Sequence, residues 1–463
     1  MSDNKLFELI NTMTAVEKRE CAAFLKSPYH NRREDVLRLW KQCTADVRSR
    51  RVNLPASGEP APENTAEHRH VQSFLLQQIE TFLAQRAYEQ TPLLSDLHLA
   101  PVYRQKGLVK HLHHLFRRAE ERLDKLPRDT TYYYLQYQLE WEKYAATESQ
   151  TRSRDNNLAA VHQALDVYLI GSKLRLACLL ESHRAVFNVA YDTTFLPGLL
   201  AFLPGSALCA VPIIALYYHC YQALTGGKEA EFRAFRRELE SQNAALPPEE
   251  RRIFLLLGVN YCIRQLNAGD VRYIREVFDL YRVGLETGVL LENGKLGRFA
   301  YKNIVAAGLK VQEFDWVEDF IVRYEPFLEE KHRAANRDYN LAKLYFARKD
   351  YRRAMPLLAQ VGESDLLLNL DSRVMLLKMY YETGEWDALD ALLASFRVLL
   401  LRKKKVIGYH QAYYLNTLRY IHKLIRVNLN DKTAVTAFRA EVEGNKAVIE
   451  KDWLLGIVGG DVK

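Results

Sequence analysis

Forty consecutive residues, Ala391 to Asn430, contain no aspartate or glutamate, yet they hold Arg397, Arg402, Lys403, Lys404, Lys405, Arg419, Lys423 and Arg426. Their charge of +8 equals the formal net charge of the whole chain, so the other residues balance to zero. Tyr409, Tyr413, Tyr414, Tyr420, His410 and His422 interleave with them. Such a stretch attracts phosphate or an acidic peptide, and its tyrosines offer faces on which bases can stack. A solvated end-helix with its tyrosines turned inward has the same composition.

Other chemistry-bearing residues are sparser. Six of the thirteen histidines fall at His68, His70, His98, His111, His113 and His114. His111 and His114 share a helix face, but a tight zinc site needs three or four converging ligands, so solvated or core-edge histidines are the simpler reading. The cysteines Cys21, Cys43, Cys178, Cys209, Cys220 and Cys262 form no C-x-x-C pair and read as reduced, buried thiols of a cytoplasmic protein. No nucleophile elbow, phosphate-binding glycine loop, dinucleotide fingerprint or H-E-x-x-H motif is present. The expectation is a non-enzyme without a cofactor.

The elements that would position these residues come from an internal repeat. An acid followed by an aromatic recurs as Asp315-Trp316, Asp350-Tyr351 and Glu385-Trp386, with the aromatics 35 apart (351 − 316 and 386 − 351). Each pair follows a polar turn, Gln312-Glu313, Arg348-Lys349 or Thr383-Gly384, and opens an apolar helical run. In the middle copy Leu341-Ala342, Tyr345, Tyr351, Ala354 and Leu358 stand in the order of a tetratricopeptide (TPR) repeat; the third gives Leu376-Leu377, Tyr380, Trp386, Leu389 and Leu393. The first is degenerate, with Ala306-Ala307, Lys310, Trp316 and Asp319. The chain resembles the TPR superfamily here. From about Phe24 to Leu424 it also resembles a family of bacterial TPR-like proteins, through Phe24-Leu25-Lys26-Ser27-Pro28-Tyr29, Asn260-Tyr261-Cys262-Ile263, Phe314-Asp315-Trp316, Asn340-Leu341-Ala342-Lys343-Leu344-Tyr345 and Lys378-Met379-Tyr380-Tyr381.

The resemblance implies an all-α superhelix in which stacked hairpins share one core. It implies no activity. In TPR arrays the first helix of each hairpin lines a concave groove, which makes Tyr339, Lys343, Phe346, Val374, Lys378 and Tyr381 the candidates for binding a protein or acidic peptide segment. Phe346 and Val374 are also well suited to packing between helices.

Composition agrees with helices: 48% hydrophobic, 26% charged, and only 14 prolines and 21 glycines in 463 residues. Four regions are expected: an N-terminal helical cap over 1–128 with a Pro/Gly-rich loop at 51–65, divergent hairpins over 129–298, three TPR-like repeats over 299–396, and basic capping helices over 397–463. Thr14 and Glu17 form a capping box. Helices are expected from about Glu67 to Tyr88, Leu108 to Leu126 and Tyr132 to Tyr144, then a polar break from Thr147 to Asn157, then one long helix or a tight pair over Leu158 to Val189. A helix-turn-helix near the N-terminus is disfavoured, because Ser27-Pro28-Tyr29-His30-Asn31 is long for its turn. Thr193 to Gly227 carries no charge and is long enough to span a bilayer, but Pro197, Pro204 and Pro212 cut it, so buried short helices are expected and no membrane. No signal peptide is expected from Met1-Ser2-Asp3-Asn4-Lys5.

The leading expectation is therefore a cytoplasmic adaptor that binds a peptide in the groove. The alternative is a nucleic-acid-associated protein using 397–426. Phosphate binding would weaken steeply with salt, and a peptide groove less so.

Overall fold

The computed structural model describes residues 5–49, 66–148, 156–187, 189–242, 245–359, 361, 366–408, 410–445 and 447–459. The fold is all-α. Among the described residues the only sheet is one antiparallel hairpin of two-residue strands, β1 (Leu291–Glu292) and β2 (Lys295–Leu296). Its turn is Asn293-Gly294, both at positive φ, the pair that a two-residue hairpin loop favours. The chain divides into two compact units, residues 1–173 with 201–214, and residues 174–200 with 215–463.

In the first unit α1 (Lys5–Thr12), α2 (Ala15–Lys26), α3 (Glu34–Ser49) and α4 (Ala66–Glu89) close one core around Leu6, Ile10, Cys21, Leu25, Val36, Leu75 and Ile79. The expected capping box opens α2: the Thr14 N–H donates to Glu17 Oε2 at 2.8 Å, and the Glu17 N–H donates to Thr14 Oγ1 at 3.2 Å. The expected loop at 51–65 lies outside the described residues. Next come α5 (Pro92–Gln105), α6 (Val109–Leu123) and α7 (Thr130–Glu148). Helix α5 lies between two expected helices, where none is expected; it contains Pro101, and a proline usually ends a helical pattern. It carries Asp96, 1% exposed, which Arg118 and Arg122 of α6 hold. A carboxylate this deep is tolerated only when paired and hydrogen-bonded.

The division between the units falls within α8 (Leu158–Phe187), a single helix of 30 residues. Proline cuts the uncharged stretch as expected, into α9 (Leu196–Phe202), two 3₁₀ turns and α10 (Pro212–Gly226). Ile213, Ile214, Leu216, Tyr217, Cys220 and Leu224 are buried there, which accounts for the missing charges. Among the described residues no helix is long and apolar enough to cross a membrane.

The second unit continues with α11 (Glu229–Gln242), α12 (Pro248–Asn267) and α13 (Tyr273–Glu286). Three hairpins follow: α14 (Arg298–Lys310) with α15 (Phe314–Tyr324), α16 (Arg333–Ala347) with α17 (Tyr351–Ala359), and α18 (Leu366–Thr383) with α19 (Trp386–Arg402). Their first helices touch in series, α14 to α16 and α16 to α18. After them come α20 (Lys404–Ile407), α21 (His410–Leu424), α22 (Lys432–Gly444) and α23 (Lys451–Gly459).

One turn recurs. Residues Gly269, Gln312, Lys349 and Gly384 have positive φ. In each case the next N–H reaches back five residues to a helical carbonyl: Asp270 to Gln265, Glu313 to Gly308, Asp350 to Tyr345 and Glu385 to Tyr380, all at 2.8–3.0 Å. This is the Schellman cap, which satisfies orphan carbonyls at a helix end. Gly107 makes the same turn between α5 and α6.

The turns correct the expected repeat register. The residue two after each cap is Phe314, Tyr351 or Trp386, the first residue of the second helix. The counterpart of Tyr351 and Trp386 is therefore Phe314 and not Trp316, with spacings of 37 and 35 (351 − 314 and 386 − 351). In this register Val317, Ala354 and Leu389 are equivalent, and all three are fully buried. Opposite them stand Gly308, Tyr345 and Tyr380. Gly308 answers its partner: a Cβ there would lie 2.4 Å from Val317 Cγ2.

Gly308→Ala is expected to destabilise the fold. Overpacking of about 1–3 kcal/mol outweighs the gain of up to about 1 kcal/mol in helix propensity. In a Val317→Ala background the same change becomes neutral or stabilising, and a double-mutant cycle by chemical denaturation reads the coupling.

Candidate functional site

Stacking α14, α16 and α18 puts a lysine from each on one face: Lys302, Lys343 and Lys378. With the corrected register, Tyr339 is equivalent to Val374, Lys343 to Lys378, and Phe346 to Tyr381 (each 35 apart). The expected groove residues are thus repeat-equivalent, but they do not line an open groove. Tyr339 is 4% exposed, Val374 2% and Lys378 7%. Lys343, Phe346 and Tyr381 keep part of their surface.

The cover comes from the chain's own C-terminal segment. Lys378 Nζ pairs with Glu450 Oε2 at 2.8 Å. It lies 4.6 Å from the Phe346 ring centre and 5.6 Å from that of Trp453, so its ammonium has a carboxylate on one side and aromatic faces around it. Trp453 meets Tyr381 edge-on at 5.6 Å and donates its indole N–H to Glu382 Oε1 at 2.6 Å. The Tyr351 hydroxyl donates to the other oxygen of Glu382.

Two side chains of α21 fix the segment. Asn416 Nδ2 donates to the Ala447 carbonyl at 2.9 Å, and the Ile449 N–H donates to Thr417 Oγ1 at 2.9 Å. Glu450 then turns at positive φ into α23. Its side chain is 40% exposed, while that of Lys378 is 9% exposed, so the pair sits with the lysine inside and the carboxylate at the rim.

A second carboxylate serves the other end of the row. Asp371 of α18 accepts from Lys302 Nζ at 2.5 Å and from the Tyr414 hydroxyl at 2.7 Å. Lys302 also lies 5.4 Å from the Tyr339 ring centre. Lys343, between them, makes no hydrogen bond or ion pair among the described residues. Burial, and then the neighbouring Lys302, push its pKa below the ordinary lysine value. At Glu450 partial burial opposes ionisation, but Lys378, Lys343 and Lys302 outweigh it and hold the carboxyl below its usual value. Burial drives the hydroxyls of Tyr339 and Tyr414 well above theirs.

The basic stretch is divided by the fold. Arg419 and Lys423 both bind Glu441 of α22, each at 2.7 Å. Tyr414 and Tyr420 are buried, and Tyr409 lies outside the described residues. His410 opens α21 and faces the Lys302–Asp371 end of the row. Arg397, Arg402, Lys403 and Lys404 have no carboxylate partner among the described residues, and Arg397, Arg402 and Lys404 are exposed. Arg426 lies 3.1 Å from His422. The side chain of Lys405 lies outside the described residues. In the first unit His111 and His114 line one hollow with Lys110 and Arg118, and Arg118 there is paired with Asp96.

Residues that sequence reading missed complete the cluster: Lys302, Asp371, Glu382, Glu450 and Trp453. The two-residue slip in the first repeat hid Lys302. Glu450 and Trp453 carried no signal, because they reach the face from outside the repeats. Comparison with protein-family models, with curated proteins and with solved structures found no match for this chain.

The depressed pKa of Glu450 has a consequence for stability. Its folded value lies below the unfolded one, so its contribution is present above the unfolded pKa of about 4.5 and is lost as pH falls through the folded value. Thermal melts from pH 7 to pH 3 are expected to show a smaller acid-induced fall for Glu450→Gln than for the native chain. Identical pH profiles would mean that the pair contributes nothing.

Proposed function

We propose that this chain is a TPR-like, non-catalytic cytoplasmic scaffold that recognises an acidic, aromatic protein segment on the face of α16 and α18. One observation carries the reading: that face already holds such a segment in cis, with Glu450 on Lys378 and Trp453 against Tyr381. A partner with a carboxylate three residues before a tryptophan reproduces both contacts. Phe346, Lys378 and Tyr381 are its anchors, and Lys343 supplies further positive charge. The recurring Schellman turns and the serial contact of first helices support the TPR-like arrangement.

The cis segment competes with such a partner, so apparent affinity falls with the fraction of chains whose face is open. A labelled peptide of residues 447–456 is titrated into the full chain and into the Glu450→Gln/Trp453→Ala variant. The variant is expected to bind at least about tenfold more tightly than the native chain, and Lys378→Glu in the same background abolishes binding. Glu450→Gln alone serves if the double variant loses its far-UV circular dichroism. A folded variant that shows no saturable binding would sink the reading.

A second reading rests on the three exposed cations without carboxylate partners. Arg397, Arg402 and Lys404 are placed to contact a phosphate backbone, with Val398, Leu401 and Val406 exposed among them. Binding to a single-stranded oligonucleotide is expected to fall with salt at a log–log slope of roughly −0.7 per phosphate contact. It is expected to vanish in Arg402→Glu/Lys404→Glu. A flat salt dependence would exclude this use of the patch.

A further inference from the structure

Helices α2 and α3 of the first unit enclose a hollow of about 960 Å³. Helix α2 lines it with Ala15, Lys18, Arg19, Ala22 and Lys26, and α3 lines it with Leu37, Trp40, Lys41, Thr44 and Ala45. The spacings are i, i+3, i+4, i+7 and i+11 on α2, and i, i+3, i+4, i+7 and i+8 on α3. Each helix therefore turns one continuous stripe of its surface into the same hollow. The hollow is a groove about three turns long, since Ala15 to Lys26 spans roughly 16 Å at 1.5 Å per residue.

The groove is charged on one sign only. Four of its ten lining residues are cationic and none is acidic. Lys18, Arg19, Lys26 and Lys41 make no ion pair and no side-chain hydrogen bond among the described residues. Arg19, Lys26 and Lys41 are exposed, and Lys18 is half-buried. The two acids of α2 are spent elsewhere: Glu17 lies 3.9 Å from Arg86 of α4, and Glu20 binds the same guanidinium. Charge is thus sorted around one short helix, acids toward α4 and cations toward the groove.

Between the cations the floor is apolar. Trp40 is 4% exposed and belongs to the core of the first four helices. Leu37 and Ala22 keep part of their surface, and Ala15 is exposed. A phosphate backbone gains nothing from such a floor. An amphipathic helix does, because its apolar stripe lies on the floor while its flanking carboxylates meet the cations. Alanine at three of the ten positions lets the axis of such a helix approach to about 8 Å. The chain's own segment 50–65 has the wrong sequence for this role: Arg50 and Arg51 balance Glu59 and Glu63, and Pro55, Pro60 and Pro62 are incompatible with a helix interior.

We propose that the α2–α3 groove is a docking site for an acidic amphipathic helix of a partner protein. Its apolar side chains, at i, i+3, i+4 and i+7, rest on Ala22, Leu37 and Trp40. Its aspartates or glutamates pair with Lys18, Arg19 and Lys26 on one wall and with Lys41 on the other. The site shares no residue with the α16–α18 face and does not depend on what that face binds.

The test titrates three fluorescein-labelled probes into the full chain and follows anisotropy. The first is a capped peptide of about fifteen residues, built from glutamate, alanine and leucine, with its leucines at i, i+3, i+4 and i+7. The second is the same composition scrambled so that the leucines share no face. The third is a single-stranded oligonucleotide of equal charge. The patterned peptide is expected to bind saturably, and the scrambled one at least about tenfold more weakly. Lys18→Glu/Lys41→Glu is expected to weaken the patterned peptide at least about tenfold. Ala22→Phe, which fills the floor without altering charge, does the same, whereas Lys378→Glu leaves binding unchanged. The charge-reversal variant stands alone if Ala22→Phe loses its far-UV circular dichroism. No saturable binding of the patterned peptide overturns the proposal, as does equal affinity for the scrambled one. An oligonucleotide that binds more tightly and displaces the peptide would make the groove a nucleic-acid surface instead. Self-association of the chain that Lys18→Glu/Lys41→Glu abolishes, read by analytical ultracentrifugation, would make a second copy the occupant and overturn the assignment to a partner.

Discussion

Stacking the first helices of successive hairpins places Lys302, Lys343 and Lys378 on one face, and that face closes only where carboxylates neutralise it. Burying an unpaired ammonium is costly, while a paired one is tolerated. Asp371 neutralises Lys302 from within the repeats, and Glu450 neutralises Lys378 from beyond them. The residues from His410 onward are therefore more than a cap. Helix α21 carries Tyr414, which holds Asp371, and also Asn416 and Thr417, which hold the backbone that presents Glu450. Trp453 and Leu454 bury beside the Phe396, Ile421 and Leu424 of the same core. The electrostatics of the repeats and the packing of the C-terminus are one arrangement.

Lys343 marks where that neutralisation stops. It sits between two paired lysines and has no carboxylate of its own, and its lowered pKa reflects both burial and Lys302. A face that ends with surplus positive charge attracts an acid. The carboxylates are unevenly placed: Glu450 lies at the Lys378 end, whereas Asp371 at the other end is committed to Lys302 and Tyr414.

What could be read in the sequence followed from local rules. Helices with strong apolar stripes, the Thr14–Glu17 capping box and the proline-cut uncharged stretch were all legible, because each depends on residues within a turn or two of one another. The turns of the repeats were legible for the same reason. Their register was less so. Gly384 announces a left-handed cap, but Gln312 and Lys349 occupy the same conformation without glycine, and a side chain there costs roughly 1–2 kcal/mol that only the tertiary fold repays. Matching acid–aromatic pairs instead chose Trp316 over Phe314. The hairpin at Asn293-Gly294 was signalled in the sequence and passed over. Helix α5 was masked by its own proline.

The site was legible by half, and the missing half is instructive. Repeat logic located Tyr339, Lys343, Phe346, Val374, Lys378 and Tyr381 because repeated positions carry repeated roles. It also treated them as a surface, since nothing local says that a segment 72 residues further on (450 − 378) will cover Lys378. Long-range pairing of this kind leaves a trace only in charge. The stretch from 391 to 430 has no acid, and two of its cations, Arg419 and Lys423, are answered by Glu441, just outside it. Lys378 is answered by Glu450, also outside it. A run that looks unbalanced over forty residues is thus partly balanced by the next twenty. What the fold leaves unbalanced among the described residues, Arg397, Arg402 and Lys404 above all, is a much smaller set than composition implied, and a more specific one.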